Sequence, residues 1–312
     1  MHLPDELQMA IDEIVSQTPT SALRKARESL SRTYKEGGDS RSIFSDEGQK
    51  LAYLGSRMPA TYAAVYKVLQ RLPCPVSHFL DLGAGPGTAS WAAAELFPSL
   101  TQITCIERSS EAIELGQNLA RFSSFPTVQK AEWLRGSLTE NFAIPEGTDL
   151  AVLSYVLNEL EKPEEVVQKC WERLPLLAII EPGTPKGFQL IKSIRQKLID
   201  WGAHIIAPCP HSFSCPNDWC HFSARIERSR LHRLLKEGEL GHEDEKFSYL
   251  IASKTPLATP PSRIIRHPMK GSGHIRFELC NQNGMLEKRV ATRSQKEIYK
   301  QARDAEWGDG WL

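Results

Sequence analysis

The sequence predicts an α/β protein built on a doubly wound parallel sheet. An N-terminal helical region precedes the sheet, a Cys-rich loop interrupts it, and a small β module follows it. Three observations carry that expectation. From His78 onward, short apolar runs alternate with helix-length amphipathic stretches. A glycine-rich turn, DLGAGPGTAS, lies where the first strand gives way to a helix. Residues 202–224 then break the alternation with a stretch rich in Cys, His, Pro and Ser that has no period.

The elements follow in order. Leu7, Ile11 and Ile14 recur at helical spacing, and residues 60–72 form an Ala/Tyr/Val/Leu-rich helix that the Pro73-Cys74-Pro75 breaker ends. HFLDLG reads as a strand, TASWAAAELFPSL as a helix, ITCIERS as a second strand and SEAIELGQNLARFSS as a second helix. After a third unit come two buried-type runs, DLAVLSYVL and LLAIIEPG, separated by a helix that starts near Lys162 and Pro163. KFSYLIASK, at 246–254, alternates like a late strand. Beyond the TPLATPPS linker, SRIIRHP, HIRFELC and EKRVATR look like short strands. No internal repeat is present. The expected division is a helical region at 1–74, a sheet domain at 75–254 with its insertion at 202–224, and a basic β module at 255–312.

Composition narrows the class. The 312 residues are 41% hydrophobic and 24% charged, which excludes disordered and fibrous chains. No apolar run approaches the ~18–20 residues that span a bilayer. The opening MHLPDELQMAIDEIV is acidic and lacks a cationic n-region, so a cytoplasmic protein without membrane association is expected. A monomer is the expected state. There seven cysteines would stay reduced, and their spacing needs an explanation other than disulfides. Net charge is zero, from 38 basic and 38 acidic residues. The distribution is uneven. Residues 75–200 hold 11 basic and 16 acidic residues, net −5, whereas residues 254–303 hold 11 basic and 3 acidic, net +8. Such a tail suits nucleic acid, or simply a solvated basic face.

The glycine turn suggests a nucleoside pocket. Gly83, Gly85 and Gly87 permit a tight turn and close backbone approach to a ligand, at the amide-rich start of a helix. Glu107 ends the second strand, 26 residues after Asp81, where a carboxylate accepts from ribose hydroxyls. NAD-binding domains and S-adenosylmethionine (SAM) methyltransferases share this order. Asp81, two residues before the first glycine, favours SAM. Catalysis is less visible. After the fourth strand stands SYVLNEL, not an Asn/Asp-Pro-Pro-aromatic box. Asn158 and Glu159 are the candidates for accepting from a target amine; capping the next helix is the alternative role. Arg135-Gly136-Ser137 offers no Asp to an adenine amine, which weakens the expected hold on SAM. The triplet Ala207-Pro208-Cys209 follows the fifth strand, so a cytosine-C5 nucleophile is not read there.

Cys209, Cys215 and Cys220 fall within twelve residues, at spacings of six and five. Three thiolates in a proline-rich loop suit a metal centre. The fourth ligand is best supplied by Cys280, at a strand end, with His211 and His221 as alternatives. Soft thiolates fit zinc or an iron–sulfur cluster. The absence of a C-x₂-C knuckle tips the reading towards [4Fe–4S], with zinc or unrelated thiols still open. Cys105, Cys170 and Cys74 read as small buried hydrophobes.

DLGAGPGTAS, SYVLNEL, IIEPGTPKG, APCPH…C…C, DEKFSYLI and the late Cys280 together resemble the ribosomal-small-subunit methyltransferase-like family, from about residue 34 to 307. The resemblance implies a class I SAM methyltransferase-like fold carrying a [4Fe–4S] cluster and binding rRNA of the small ribosomal subunit, or the pre-ribosomal small subunit, during assembly. It implies Cys209, Cys215, Cys220 and Cys280 as cluster ligands, and Gly83, Gly85 and Glu107 around the nucleoside. It leaves open whether methyl transfer to rRNA occurs. Arg263, Arg266, Lys270, Arg276, Lys288, Arg289, Arg293, Lys296 and Lys300 are the expected phosphate contacts.

Overall fold

In the computed structural model, which describes residues 1–35, 40–140, 142–217, 219–236 and 240–312, five parallel strands form one side of the main sheet. They are β1 (His78–Leu82), β2 (Gln102–Glu107), β3 (Glu132–Arg135), β4 (Leu150–Ser154) and β5 (Leu176–Pro182). Three further strands are β6 (His204–Ala207), β7 (Phe222–Glu227) and β8 (His242–Ser253). The order is β3-β2-β1-β4-β5-β8-β6, with β8 antiparallel to β5, β6 and β7. The winding reverses between β1 and β4, so a crevice opens beyond their carboxyl ends. β1 is buried along its whole length, as expected of a strand covered on both faces. The doubly wound sheet read from the sequence is therefore present.

The Cys-rich stretch is more regular at its ends than its composition suggests. β6 pairs with 251–253 and β7 with 242–247, both on the edge of β8 that β5 does not occupy. Among the described residues the irregular part is confined to 208–217 and 219–221, between two in-line strands. No period is visible in 202–224 because four- and six-residue strands are too short to display one.

The N-terminal helices include Asp5–Val15, Glu47–Ser56 and Met58–Leu69. The last starts with Pro59 in its first turn, buries Ala60, Ala63, Ala64 and Val68, and stops before the proline breaker. Asp46 caps Glu47–Ser56 by accepting the Gln49 N–H at 2.7 Å.

The C-terminal module is a second sheet of β9 (Ser262–Ile264), β10 (Met269–Gly271), β11 (His274–Asn281), β12 (Leu286–Thr292) and β13 (Gly310–Trp311). Its own core contains Ile264, Phe277, Leu279 and Trp311, and helix Lys296–Asp304 adds Ala302. β10, β13 and this helix gave no sequence signal: β10 is exposed throughout, β13 has two residues, and the helix buries one side chain. Among the described residues, no helix is long and apolar enough to cross a membrane.

Candidate functional site

The glycine loop folds as its composition demands. Gly83 has φ +69°, and a Cβ there would sit 2.6 Å from Val156 Cγ2. Gly87, at φ +80°, is the N-cap of helix Thr88–Leu96. Gly85 faces open space: its Cβ would meet nothing nearer than Phe44, at 3.8 Å. Gly83, Gly85 and Glu107 line a cavity beyond β1, and Asn158 and Glu159 line it from the β4 side. Phe44, Tyr53 and Arg57 of the N-terminal helices cover it.

Glu107 is fixed by the backbone. Its Oε2 accepts the Gly85 N–H at 2.9 Å, and its Oε1 accepts those of Arg108 and Ser109 at 2.8 and 2.9 Å. A carboxylate has about four acceptor positions, so one on Oε2 stays free for a hydroxyl of a bound ribose. Asp81 lies beneath the loop within β1. Its Oδ2 accepts the Ser90 hydroxyl at 3.1 Å, its Oδ1 has no partner, and burial pushes its carboxyl up to about 7.

After β4 the chain strains and then turns. Tyr155 has φ +58°, a conformation that costs a non-glycine residue energy. Its hydroxyl donates to Glu245 Oε1 at 3.1 Å, and Arg57 donates to the same carboxylate at 3.3 and 3.4 Å. Asn158 and Glu159 lie in the short turn Leu157–Glu159 and do not cap the next helix, Pro163–Arg173, whose N-cap is Lys162. Glu159 pairs with Arg108 at 3.3 Å. Asn158 hydrogen-bonds the fully buried Glu181, which also accepts the Leu157 N–H at 2.9 Å. Burial, with the Glu159 charge adding to it, pushes Glu181 up to about 8. Tyr155, Arg57 and Glu245 were not read from the sequence; only contacts remote along the chain unite them.

The thiols gather at the junction of the two sheets. Cys209, Cys215 and Cys220 line one small cavity beneath helix Pro185–Asp200. Cys280, on β11, lies 3.3 Å from His211 Nε2. Burial raises the Cys220 thiol, and its neighbours Cys209, Cys215 and Cys280 raise it further. Burial also pushes Cys280 up to about 12. Among the described residues, however, no three His, Cys, Asp or Glu side chains converge as ligands of one ion would. Arginines grip the loop beside these residues. Arg195 donates to the His211 carbonyl at 2.7 Å, Arg263 to that of Pro208 at 2.8 Å, and Arg266 to that of Trp219 at 3.2 Å. Cys105 and Cys170 are buried in β2 and helix Pro163–Arg173, and Cys74 is half-buried.

The basic module needs one correction. Arg263 is buried, 4% exposed, and bonded to Pro208 and Gly308, so it is no phosphate contact. Arg276, Lys288, Arg289, Lys296 and Lys300 are exposed. The β10–β11–β12 register puts Arg276 and Lys288 on one face with Met269 and Val290.

A doubly wound sheet whose glycine loop, β2 carboxylate and β4 turn meet around one cavity defines a methyltransferase-like domain. The chain belongs to the family described as mitochondrial small ribosomal subunit Rsm22, whose model matches residues 47–312. It is 26% identical over 325 residues to Rsm22-cox11 tandem protein 2, mitochondrial, of Schizosaccharomyces pombe, covering 84% of this chain and 43% of that protein. It is 27% identical over 295 residues to the human ribosome assembly protein METTL17, mitochondrial, covering 84% of this chain and 62% of that protein. The chain thus spans about half the length of the curated relatives it matches. A SAM-dependent methyltransferase from Aquifex aeolicus is similar at 14% identity and a TM-score of 0.44, covering 66% of this chain and 97% of that one.

Proposed function

We propose that this chain is an rRNA-binding assembly factor for the small ribosomal subunit, built on a methyltransferase-like domain that holds SAM. It acts in the cytoplasm as a monomer. The human relative named for ribosome assembly supports the first part. The observation that carries the reading is the state of the acceptor side of the cavity. Glu159 is engaged by Arg108, Asn158 by Glu181 and Tyr155 by Glu245, so the groups beside the glycine loop are held by one another. Gly85 and Glu107 would hold the nucleoside of SAM, which supplies an electrophilic methyl group when bound. RNA phosphates would meet Arg276, Lys288, Arg289, Lys296 and Lys300.

Cys209, Cys215, Cys220 and Cys280 are proposed to hold a [4Fe–4S] cluster, with zinc as the alternative occupant. The donor set is chemically apt: four soft sulfurs, that of Cys280 buried and the other three half-buried, come from both sides of the junction. Such a centre would tie the 208–221 loop to the β module and so steady the basic face.

A second reading, a SAM-dependent rRNA methyltransferase, is favoured by Asn158, which also lines a groove next to the cavity. Anaerobically purified protein, incubated with methyl-labelled SAM and pre-ribosomal small subunits, tests both. Retained RNA binding without label transfer is expected; label in the rRNA would establish the second reading. In the same preparation, an iron–thiolate absorption that is lost in Cys215→Ser is expected, and colourless zinc-loaded protein would replace the cluster by zinc.

A further inference from the structure

Two arginines are buried at the thiol site without a carboxylate in ion-pair contact. Arg195, in helix Pro185–Asp200, is 3% exposed, and Arg263, in β9, is 4% exposed. Neither pairs with a carboxylate among the described residues. Their hydrogen bonds go to the carbonyls of His211 for Arg195, and of Pro208 and Gly308 for Arg263, and Arg195 also bonds the Cys209 thiol. Arg195 Nε is buried and has no partner. A guanidinium cannot lose its charge in a protein, so two buried ones demand negative charge nearby. Among the described residues, Asp309 acts on Arg263 but is itself paired with Arg71 at 2.8 Å, and the thiol set is the group beside both arginines that can gather negative charge. Arg195 lines the cavity of Cys209, Cys215 and Cys220. Arg263 stands opposite Cys280 in the β9–β11 register. The carbonyls they hold, those of residues 208 and 211, bracket Cys209.

We propose that Arg195 and Arg263 are the built-in counter-charges of the four-cysteine centre, offsetting the negative charge that it acquires when loaded. This rests on the metal-centre reading above. Four thiolates around a divalent core carry a net charge of about −2. Two arginines cancel it. Without a loaded centre the same arginines are a liability, because each is a buried cation facing neutral thiols. Lys192, whose ammonium donates to the Asn217 carbonyl at 2.9 Å, sits at the rim of the same cavity but is half-exposed and can use water. The pair draws one member from the sheet domain and one from the β module. Loading therefore relieves charge repulsion on both sides of the junction together.

The full chain is prepared anaerobically as wild type and as Arg195→Gln, Arg195→Lys, Arg263→Gln and Arg263→Lys. Metal per chain, the rate of metal loss to a chelator and the melting temperature of loaded and metal-free forms are measured. If iron is present, the midpoint potential is added. In the Gln variants metal loss is expected to speed up about tenfold or more, and the potential to move to more negative values. The Lys variants keep the charge and are expected to stay within about threefold of wild type. Melting separates charge from mere packing: the Gln change lowers the loaded form but leaves the metal-free form unchanged or raises it. Equal losses in Gln and Lys variants, or a Gln change that lowers both forms alike, would overturn the proposal while leaving the metal centre standing. Wild-type protein with neither iron nor zinc would overturn the metal-centre reading, and this inference with it.

Discussion

Arg108 and Glu159 form an ion pair of 3.3 Å that joins the turn after β2 to the turn after β4, over the carboxyl end of β1. Both residues line the glycine-loop cavity. The pair therefore spends the carboxylate that a target amine would need. Because the side chains are 28% and 16% exposed, the pair is worth at most about 1 kcal/mol. Glu159→Gln is expected to shift the urea midpoint by no more than that. SAM affinity, by calorimetry, should stay within about threefold. A larger loss of either would mean that the pair holds the crevice together.

Gly83 and Gly85 separate a folding requirement from a binding one. Ala at Gly83 meets Val156 Cγ2 at 2.6 Å and keeps an unfavourable positive φ, so about 2 kcal/mol or more of stability should be lost. Gly85→Ala has room, with its nearest neighbour at 3.8 Å, and should cost only about 1 kcal/mol. Its methyl group, however, enters the cavity. Ligand binding should fall at least about tenfold in Gly85→Ala while the fold persists. Undiminished binding in that variant would place the nucleoside elsewhere.

What the sequence displayed follows from the range of the forces involved. The glycine loop, Glu107 and strands β1 to β5 rest on local period and turn chemistry, and these were legible. Arg57 and Glu245 are 188 residues apart, and no local pattern announces their meeting at Tyr155. Arg263 looked like its basic neighbours, yet it points inward, because strand alternation has no visible period in three residues. His211 and Cys280 meet across 69 residues. Cys280 could be chosen only by its position at a strand end. Burial of charge, the property that singles out Arg195, is a fact of tertiary packing.

The exposed face of β11 and β12 should respond to salt in a countable way. Each phosphate contact releases counterions, so Arg276→Ala and Lys288→Ala should each weaken RNA binding and lower the slope of log K against log salt by about 1. Arg263→Lys, which keeps a buried charge away from this face, should leave the slope unchanged. Filter binding between low and moderate salt reads all three. A slope unaffected by either surface change would move the RNA off this face.

Glu181 gives the protein a pH dependence with a definite sign. Its carboxyl is fully buried and raised from 4.5 to about 8, chiefly by loss of solvation. Between those values the native state holds a proton that the unfolded chain releases, so the contribution to stability is full below about pH 4.5 and is lost as pH rises through 8. The shift corresponds to a few kcal/mol at most. Asp81, raised to about 7, acts in the same direction over a slightly lower window. Glu181→Gln still offers a carbonyl to the Leu157 N–H, now 2.9 Å from the Glu181 carboxylate, but has no proton to lose. Its stability should be near or slightly below wild type at pH 5 and clearly above it at pH 9. Some slope should remain, because Asp81 still titrates. Urea midpoints across pH 5–9 check this. Parallel curves for the two proteins would mean that the Glu181 carboxyl ionises in the native state as readily as in the unfolded one, against its burial.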